Sequence, residues 1–565
     1  MLSQVSEKTM HRVRWVLVIG WLILIFSLFY DPITPQLTDP NNLLSPFRDE
    51  LINPNYCLKL QGECLPEKPY PIGTRIFWGM VVPSAILILL VFGHETWRRI
   101  CPLYFLSQIP RALGLQPRLM IERNRWLVRN HFYLQFALLF VGINCRILFI
   151  NSNRLVFGLF LLAIIFLAIV VVFLYGGRSW CHYVCPFGAV QTVFTGAGGL
   201  LGSNAHQLPP KSITQSMCRT ADKTTGQEIS TCVSCKSSCL DIDAERAYWN
   251  DLQKPGRKFL QYGYLGLVIS YFIYYRLYAG NFDYYFSGAW THEENQLATV
   301  WKPGFYFSNS TIALPKLFAV PLTLALGVIL SYWICNKLEK AYRAYLKTCN
   351  PQISSELVTH RFFSVCTFLA FNAFFIYGGR PEILRLPVAL QLVFNGFVVF
   401  VSTLWLVRTW GRSAEQYKKE SLVNSFRRQL KKLPIDIEKF FEGRSLDELK
   451  SDELSVLVQV LPQFTQQDRL QVYKAVLQEA LATERVVSAH SLEELKSLRQ
   501  QLSINEEEHY AVLSELASEQ PELFFQSPLQ SSPMTQTVFR SSQKISAVEA
   551  STELRTRHRQ NDNPS

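Results

Sequence analysis

The chain has 565 residues, of which 49% are hydrophobic and 18% are charged, and its formal net charge is +12. This length predicts more than one structural unit, and the apolar composition argues against a soluble protein. We attribute the positive charge to loops on one face of a membrane and predict no nucleic-acid partner.

Eight apolar runs have the length and composition of membrane-spanning helices, which need about 20 such residues. In chain order they are residues 15–30, 76–93, 132–150, 155–175, 259–278, 312–334, 362–378 and 387–407. The basic segment SEKTMHRVRW precedes the first run, but no small-residue cleavage site follows it, so we predict a retained anchor. The predicted fold class is an all-α polytopic membrane protein with about eight transmembrane helices.

Basic residues predict the orientation of this bundle, because loops rich in Lys and Arg stay in the cytoplasm. Segment 94–130 has seven basic and two acidic residues, and segment 176–258 has nine and six. Segment 31–75 has four basic and six acidic residues, and segment 279–311 has one and three. We therefore predict a multi-pass protein of a bacterial-type inner membrane, with both termini in the cytoplasm.

The chain divides into six predicted parts. These are an anchor helix with an extracytoplasmic loop (1–75), three transmembrane helices (76–175), a cytoplasmic cysteine-containing loop domain (176–258), four further transmembrane helices (259–412), a small soluble helical domain (413–525) and a disordered tail (526–565). In the soluble domain, Ser445 with Glu448 and Ser491 with Glu494 have the spacing of capping boxes.

A short repeat follows the second and the fourth apolar runs. The segments WRRICPLYFLSQ (97–108) and CHYVCPFGAVQ (181–191) align Cys101-Pro102 with Cys185-Pro186, and Trp97 with Cys181. Each copy predicts a helix hairpin that ends in a Cys-Pro step on the cytoplasmic face. Cys181 and Cys185 lie about one helical turn apart, so we expect both thiols on one side, with Cys101 close to them.

Four more cysteines lie close together in the cytoplasmic loop. Cys218, Cys232, Cys235 and Cys239 have the spacing C-x13-C-x2-C-x3-C. Cytosolic cysteines at such spacings are typical of metal sites, and four thiolates can hold either a [4Fe–4S] cluster or a zinc ion.

The spacing departs from the ferredoxin pattern C-x2-C-x2-C-x3-C-P. Ile229 stands where that pattern has its first cysteine, and Leu240 stands where it has proline. Either Cys218 is the missing ligand or Cys239 serves a different centre. We predict that the strand-poor link between Cys218 and Cys232 forms a loop over the cluster.

The order of these features resembles the NapH/NosR class of membrane-bound ferredoxin-type proteins. The resemblance covers roughly residues 76–260 and depends most on CHYVCPFGAVQ, supported by CVSCKSSCLDIDAERAYW. It implies one [4Fe–4S] cluster, and Cys181 and Cys185 as redox or cluster ligands at the membrane surface. A second cluster would need Cys101 with these two and a further thiol such as Cys239 or Cys349, since Trp97 replaces one cysteine. Alternatively, Cys101 only fills space.

Other residues permit further hypotheses. Cys57 and Cys64, on the outer side, form either a structural disulfide or a dithiol that receives electrons from inside. Arg146 extends to the interface, where we also place Trp290 and Trp301. Histidines near the inner ends of the spans could bind haem, although interfacial histidines are commoner: His94, His131, His182 and His360.

The predicted function is electron relay by a membrane iron–sulfur protein, which would be a component of an oxidoreductase system. Its partners would be the lipid bilayer, a cytoplasmic donor and a membrane or extracytoplasmic acceptor. The alternative is a membrane scaffold or sensor that has a structural four-cysteine zinc site and a helical tail that binds a partner.

Overall fold

The computed structural model is mostly helical. It describes residues 7–39, 58–65, 68–119, 121–151, 153–202, 219–221, 228–230, 243–293, 297–349, 353–430, 466–482, 496, 499–500 and 502–520. The chain folds as two compact units, one formed by residues 1–205 and 210–413 and the other by residues 206–209 and 414–565.

The first unit is a helix bundle. Its principal helices are α1 (Glu7–Phe29), α2 (Val82–Ile100), α3 (Pro102–Ser107), α4 (Arg125–Cys145), α5 (Arg154–Tyr175), α6 (Pro186–Thr195), α7 (Ala244–Asp251), α8 (Pro255–Ala279), α9 (Lys316–Cys349), α10 (Ser355–Asn372) and α11 (Val388–Trp410). Shorter α-helices are Thr34–Thr38, Gly73–Ile76, Ile109–Ala112, Asp283–Ser287 and Arg380–Ile383. Single π turns are Phe77–Val81, Arg146–Ile150, Trp180–Val184 and Ala373–Gly378, and 3₁₀ turns are Ile121–Arg123, Ala289–Thr291 and Ala298–Trp301.

Seven helical segments among the described residues are long and apolar enough to cross a membrane. They are Thr9–Phe29, Gly73–Ser107, Arg125–Ile150, Arg154–Tyr175, Lys316–Cys349, Ser355–Ile383 and Val388–Trp410. Each corresponds to one of the eight apolar runs. The remaining run, 259–278, lies within α8, which is also helical but is not among these seven.

Helix α8 lies in the centre of the bundle, where it packs against α4, α9 and α10. It carries six tyrosines, and most of its residues are buried. The helix approaches α9 closely at two glycines, because a Cβ atom on Gly266 would lie only 2.3 Å from the carbonyl oxygen of Gly327. Its tyrosine hydroxyls bond inside the protein, as Tyr262 does to Glu339 and Tyr274 to the carbonyl of Gly304. A helix buried on all sides can therefore contain polar groups that lower its hydropathy.

The described part of this unit also contains three two-stranded antiparallel sheets: β1 (Lys59–Leu60) with β2 (Glu63–Cys64), β3 (Arg219–Ala221) with β4 (Glu228–Ser230), and β5 (Pro303–Phe307) with β6 (Ser310–Pro315). The Gln61 amide at the first turn donates to the carbonyls of Tyr278 and Pro303, so the β1–β2 hairpin is held against α8 and β5. Cys64 is exposed and disulfide-bonded. Its proposed partner, Cys57, lies outside the described residues.

Two side chains that were predicted to lie at the membrane interface are buried inside the protein. Arg146 does not extend to the interface; its guanidinium is buried over the Trp78 ring at 4.0 Å and beside Trp290 at 5.2 Å. Trp290 is buried and stacks on Tyr285. The aromatic rings give the arginine a cation–π environment away from water, which removes the need to reach the surface.

The second unit contains three described helices: α12 (Ala414–Leu430), α13 (Gln466–Ala482) and α14 (Glu506–Glu519). Both sequence-predicted capping boxes lie outside the described residues. A capping box is present at Asn505 and Glu508, before α14. The predicted tail, 526–565, also lies outside the described residues.

Candidate metal centre

Both Cys-Pro steps of the repeat have the same backbone conformation. Cys101 has φ −60° and ψ 115°, and Cys185 has φ −54° and ψ 121°. Proline imposes such extended angles on the residue before it, and its own fixed φ suits the first position of a helix. Each cysteine therefore stands immediately before a helix: Cys101 before α3 and Cys185 before α6.

Backbone N–H groups in the first turn of each helix lie beside these two sulfur atoms. They belong to Leu103 and Tyr104 at Cys101, and to Phe187 and Gly188 at Cys185. Helix N-termini and N–H donors favour negative charge on sulfur. Both positions are therefore suited to a thiolate ligand.

The structure brings the three thiols of the repeat together. Cys181 and Cys185 are buried in one cluster with Trp180 and Tyr104, and Cys101 packs against that cluster. Burial, followed by the nearby Cys181 and Cys101, raises the pKa of the Cys185 thiol. Cys181 and Cys185 are buried and Cys101 is half-buried. Thiols packed together in this way ionise less readily unless a positive centre binds them, which fits a metal or iron–sulfur ligand role.

The segment that follows each copy of the repeat forms backbone hydrogen bonds with the helix that precedes the other copy. After α6, Leu200 and Leu201 donate backbone hydrogen bonds to the carbonyls of Leu90 and Val91 on α2. After the first copy, Leu119 donates to the carbonyl of Leu174 on α5. Each copy is therefore bonded to the helix that precedes the other copy's Cys-Pro step.

A glycine lies close to each of these contacts: Gly93 within α2 and Gly176 directly after α5. Gly93 (φ 76°, ψ −177°) and Gly176 (φ 71°, ψ −178°) share a conformation that strongly favours glycine. The second copy has one more residue between this glycine and its cysteine, eight against seven, and contains the π turn Trp180–Val184. A π turn absorbs one extra residue.

Neighbouring side chains fix the second Cys-Pro step. The Gln135 amide on α4 donates to the carbonyls of Cys181 and His182. Gly188 allows this contact, because a Cβ atom there would lie 2.5 Å from Gln135 Nε2. Trp97, which replaces the leading cysteine in the first copy, packs on Phe187 with ring centroids 5.1 Å apart.

The histidines are divided between two places. His94, His131 and His182 line a cavity of about 40 Å³ together with Cys181, which has room for a few water molecules and not for haem. Both ring nitrogens of His360 have partners, the Tyr248 hydroxyl and the Thr409 carbonyl, each at 2.8 Å. The haem hypothesis is therefore wrong for His360.

The link between Cys218 and Cys232 contains strands, contrary to the prediction of a strand-poor loop. Its β3–β4 pairing places Arg219 opposite Ser230 and Ala221 opposite Glu228. The four cysteines of the predicted principal site, Cys218, Cys232, Cys235 and Cys239, lie outside the described residues.

The described side chains do not by themselves form a full ligand set. Among them, no group of three or more His, Cys, Asp or Glu residues is arranged to hold a metal ion. Of the two further thiols predicted for a second cluster, Cys349 is exposed at the end of α9, and Cys239 lies outside the described residues.

Comparison with known proteins identifies the chemistry of this region. Residues 157–203 match the family model described as a 4Fe-4S binding domain, and this match includes Cys181 and Cys185. No curated protein and no solved structure matches the chain. The cofactor that this domain implies is a [4Fe–4S] cluster.

Proposed function

We propose that the protein relays electrons through [4Fe–4S] chemistry between a cytoplasmic donor and an acceptor in the membrane or on its outer face. The observation that carries the proposal is the 4Fe-4S binding domain at residues 157–203 in a bundle with seven candidate membrane spans. A cluster at the end of a span can exchange electrons with a soluble donor and with the membrane. The NapH/NosR class remains the family that the chain resembles.

We propose Cys218, Cys232, Cys235 and Cys239 as ligands of one cluster, and Cys101, Cys181 and Cys185 as ligands of a second. The β3–β4 ladder supports the first set, because it pairs Arg219, next to Cys218, with Ser230, two residues before Cys232. Opposed Cα atoms in such a ladder lie about 4.5–5.5 Å apart. The second set is supported by the packing of half-buried Cys101 against the buried cluster that contains Cys181 and Cys185.

We also propose eight membrane crossings, with both termini in the cytoplasm. Helix α8 supports this count because it runs antiparallel to α9 along the length of that span. Lys258, near the start of α8, bonds Glu339, and Tyr278, near its end, lies under the Lys316 ammonium at 4.4 Å. The 20 residue steps from Lys258 to Tyr278 cover about 30 Å, the thickness of the hydrocarbon core.

Reporter fusions test this topology. We expect a reporter after Lys211 to be cytoplasmic and one near Asn295 to be extracytoplasmic, because α8 separates the two positions. A protease-accessibility or alkaline phosphatase assay distinguishes the sides. If both reporters are on the same side, α8 does not cross; if their positions are reversed, the cysteine-rich loop cannot meet a cytoplasmic donor.

Proteoliposomes test electron relay directly. A reductant is added on the side of the cysteine motifs, with ferricyanide trapped inside in one preparation and a lipid-soluble acceptor in the bilayer in another. We expect cluster-loaded protein to reduce one of the two acceptors far faster than empty vesicles. Failure with both acceptors contradicts the relay, and a zinc-loaded, colourless protein favours the scaffold or sensor.

A further inference from the structure

Two cysteines outside the repeat face each other across neighbouring helices. The Sγ atoms of Cys335 on α9 and Cys366 on α10 lie 4.0 Å apart, and neither residue is in a disulfide. Both are buried, with 8% and 3% of their surfaces exposed. A disulfide has an S–S distance of about 2.05 Å, so the sulfur atoms must approach by about 2 Å to form the bond.

We propose that Cys335 and Cys366 form a reversible dithiol–disulfide couple, a further redox site within the membrane-spanning bundle. Oxidation forms the S–S bond and releases two electrons and two protons; reduction consumes two of each. A [4Fe–4S] cluster would supply or accept these two electrons one at a time, so each disulfide would require two cluster turnovers. This inference rests on the proposed relay function.

Hydrogen bonds connect this couple to the helix that begins after Cys185. Thr367, next to Cys366, donates to the carbonyl of Val193 on α6 at 2.9 Å, and accepts from the Gln261 amide of α8 at 2.8 Å. Val193 lies eight residues after Cys185, about 12 Å along α6. A hydrogen bond from Thr367 therefore links the couple to α6, the helix that begins directly after Cys185.

A polar network beside the couple provides a place for the protons. Glu339 lies four residues after Cys335, on the same side of α9. Its buried carboxylate bonds the Tyr262 hydroxyl and the Lys258 ammonium, and the Lys258 side chain is 19% exposed. In this proposal the carboxylate passes protons between the two thiols and water.

Mild oxidation of the full-length protein in membranes tests whether the bond forms. Diamide is added, free thiols are blocked, and peptides are analysed by mass spectrometry with and without later reduction. We expect a peptide pair linked through Cys335 and Cys366 that reduction separates. Cys145→Ser should retain this link, whereas Cys335→Ser and Cys366→Ser should each lose it. Absence of the link while exposed Cys349 reacts overturns the proposal.

Reduction of the preformed disulfide tests its connection to the cluster. Photoreduced deazaflavin is supplied to the oxidised wild type and to oxidised Cys185→Ser, and the return of both thiols is followed by maleimide labelling. We expect faster return in the wild type. Equal rates overturn the assignment of the cluster as electron carrier. If the protein does not relay electrons but its Cys335–Cys366 disulfide still forms and is still reduced, that result contradicts the proposed function alone.

Discussion

We expect Cys185→Ser to stop electron transfer through the protein. Cys185 lies within the 4Fe-4S binding domain, and its thiol lies at the start of α6 beside Cys181 and Cys101. Residues that only contact a metal ligand contribute about 10–100-fold to metal affinity, so loss of a ligand should lower cluster affinity by more than about 100-fold. Iron content and relay in proteoliposomes measure this effect.

The Cys185→Ser variant also separates the two proposed clusters. If Cys218, Cys232, Cys235 and Cys239 hold their own cluster, its signal in electron paramagnetic resonance should persist in this variant while relay is lost. Cys145→Ser, which changes a half-buried thiol elsewhere in the bundle, is the matched control and should retain iron and relay. Normal electron flow in a Cys181→Ala, Cys185→Ala double variant would show that the motif only turns the chain.

The second large effect is expected at Glu339. Its carboxylate is 1% exposed and joins three helices, accepting from Lys258 of α8, Arg343 of α9 and Thr359 of α10. Glu339→Gln removes the negative charge between the two cations. Breaking a buried ion pair costs about 3–5 kcal/mol, and we expect about 3 kcal/mol because the cations remain partly exposed.

The melting temperature of the detergent-solubilised protein, read with a thiol-reactive dye, measures this loss. Arg343→Gln is the control, because it leaves Glu339 with Lys258 and should lower the melting temperature less. Equal shifts in the two variants would mean that the carboxylate is not the centre of the network.

Much of the bundle could be predicted from the sequence because a membrane-spanning helix needs a long apolar run. All seven candidate spans correspond to such runs. Hydropathy describes the observed helices least well where polar groups form hydrogen bonds inside the protein. In α8, tyrosine hydroxyls bond Glu339 and the carbonyl of Gly304. Hydropathy treats such groups as facing solvent, so it underrates a buried helix that contains them. The start of α9 was also placed four residues too early, because residues 312–315 are apolar but form part of β6.

The candidate site was predictable where the signal is local. Proline after cysteine determines the backbone at Cys101 and Cys185, and the repeat indicated that their thiols meet. The backbone hydrogen bonds that Leu119 and Leu200 donate to the other copy of the repeat could not be predicted, since they join positions far apart in the chain. The contact of Cys335 with Cys366 was missed for the same reason, because no spacing pattern connects cysteines on facing helices.

Anaerobic purification with metal analysis and electron paramagnetic resonance most directly tests for an iron–sulfur cluster in this membrane bundle. We predict a brown protein with iron and sulfide in equal amounts, and a signal of a reduced [4Fe–4S] cluster after dithionite addition. A colourless protein that contains zinc and lacks acid-labile sulfide would contradict it.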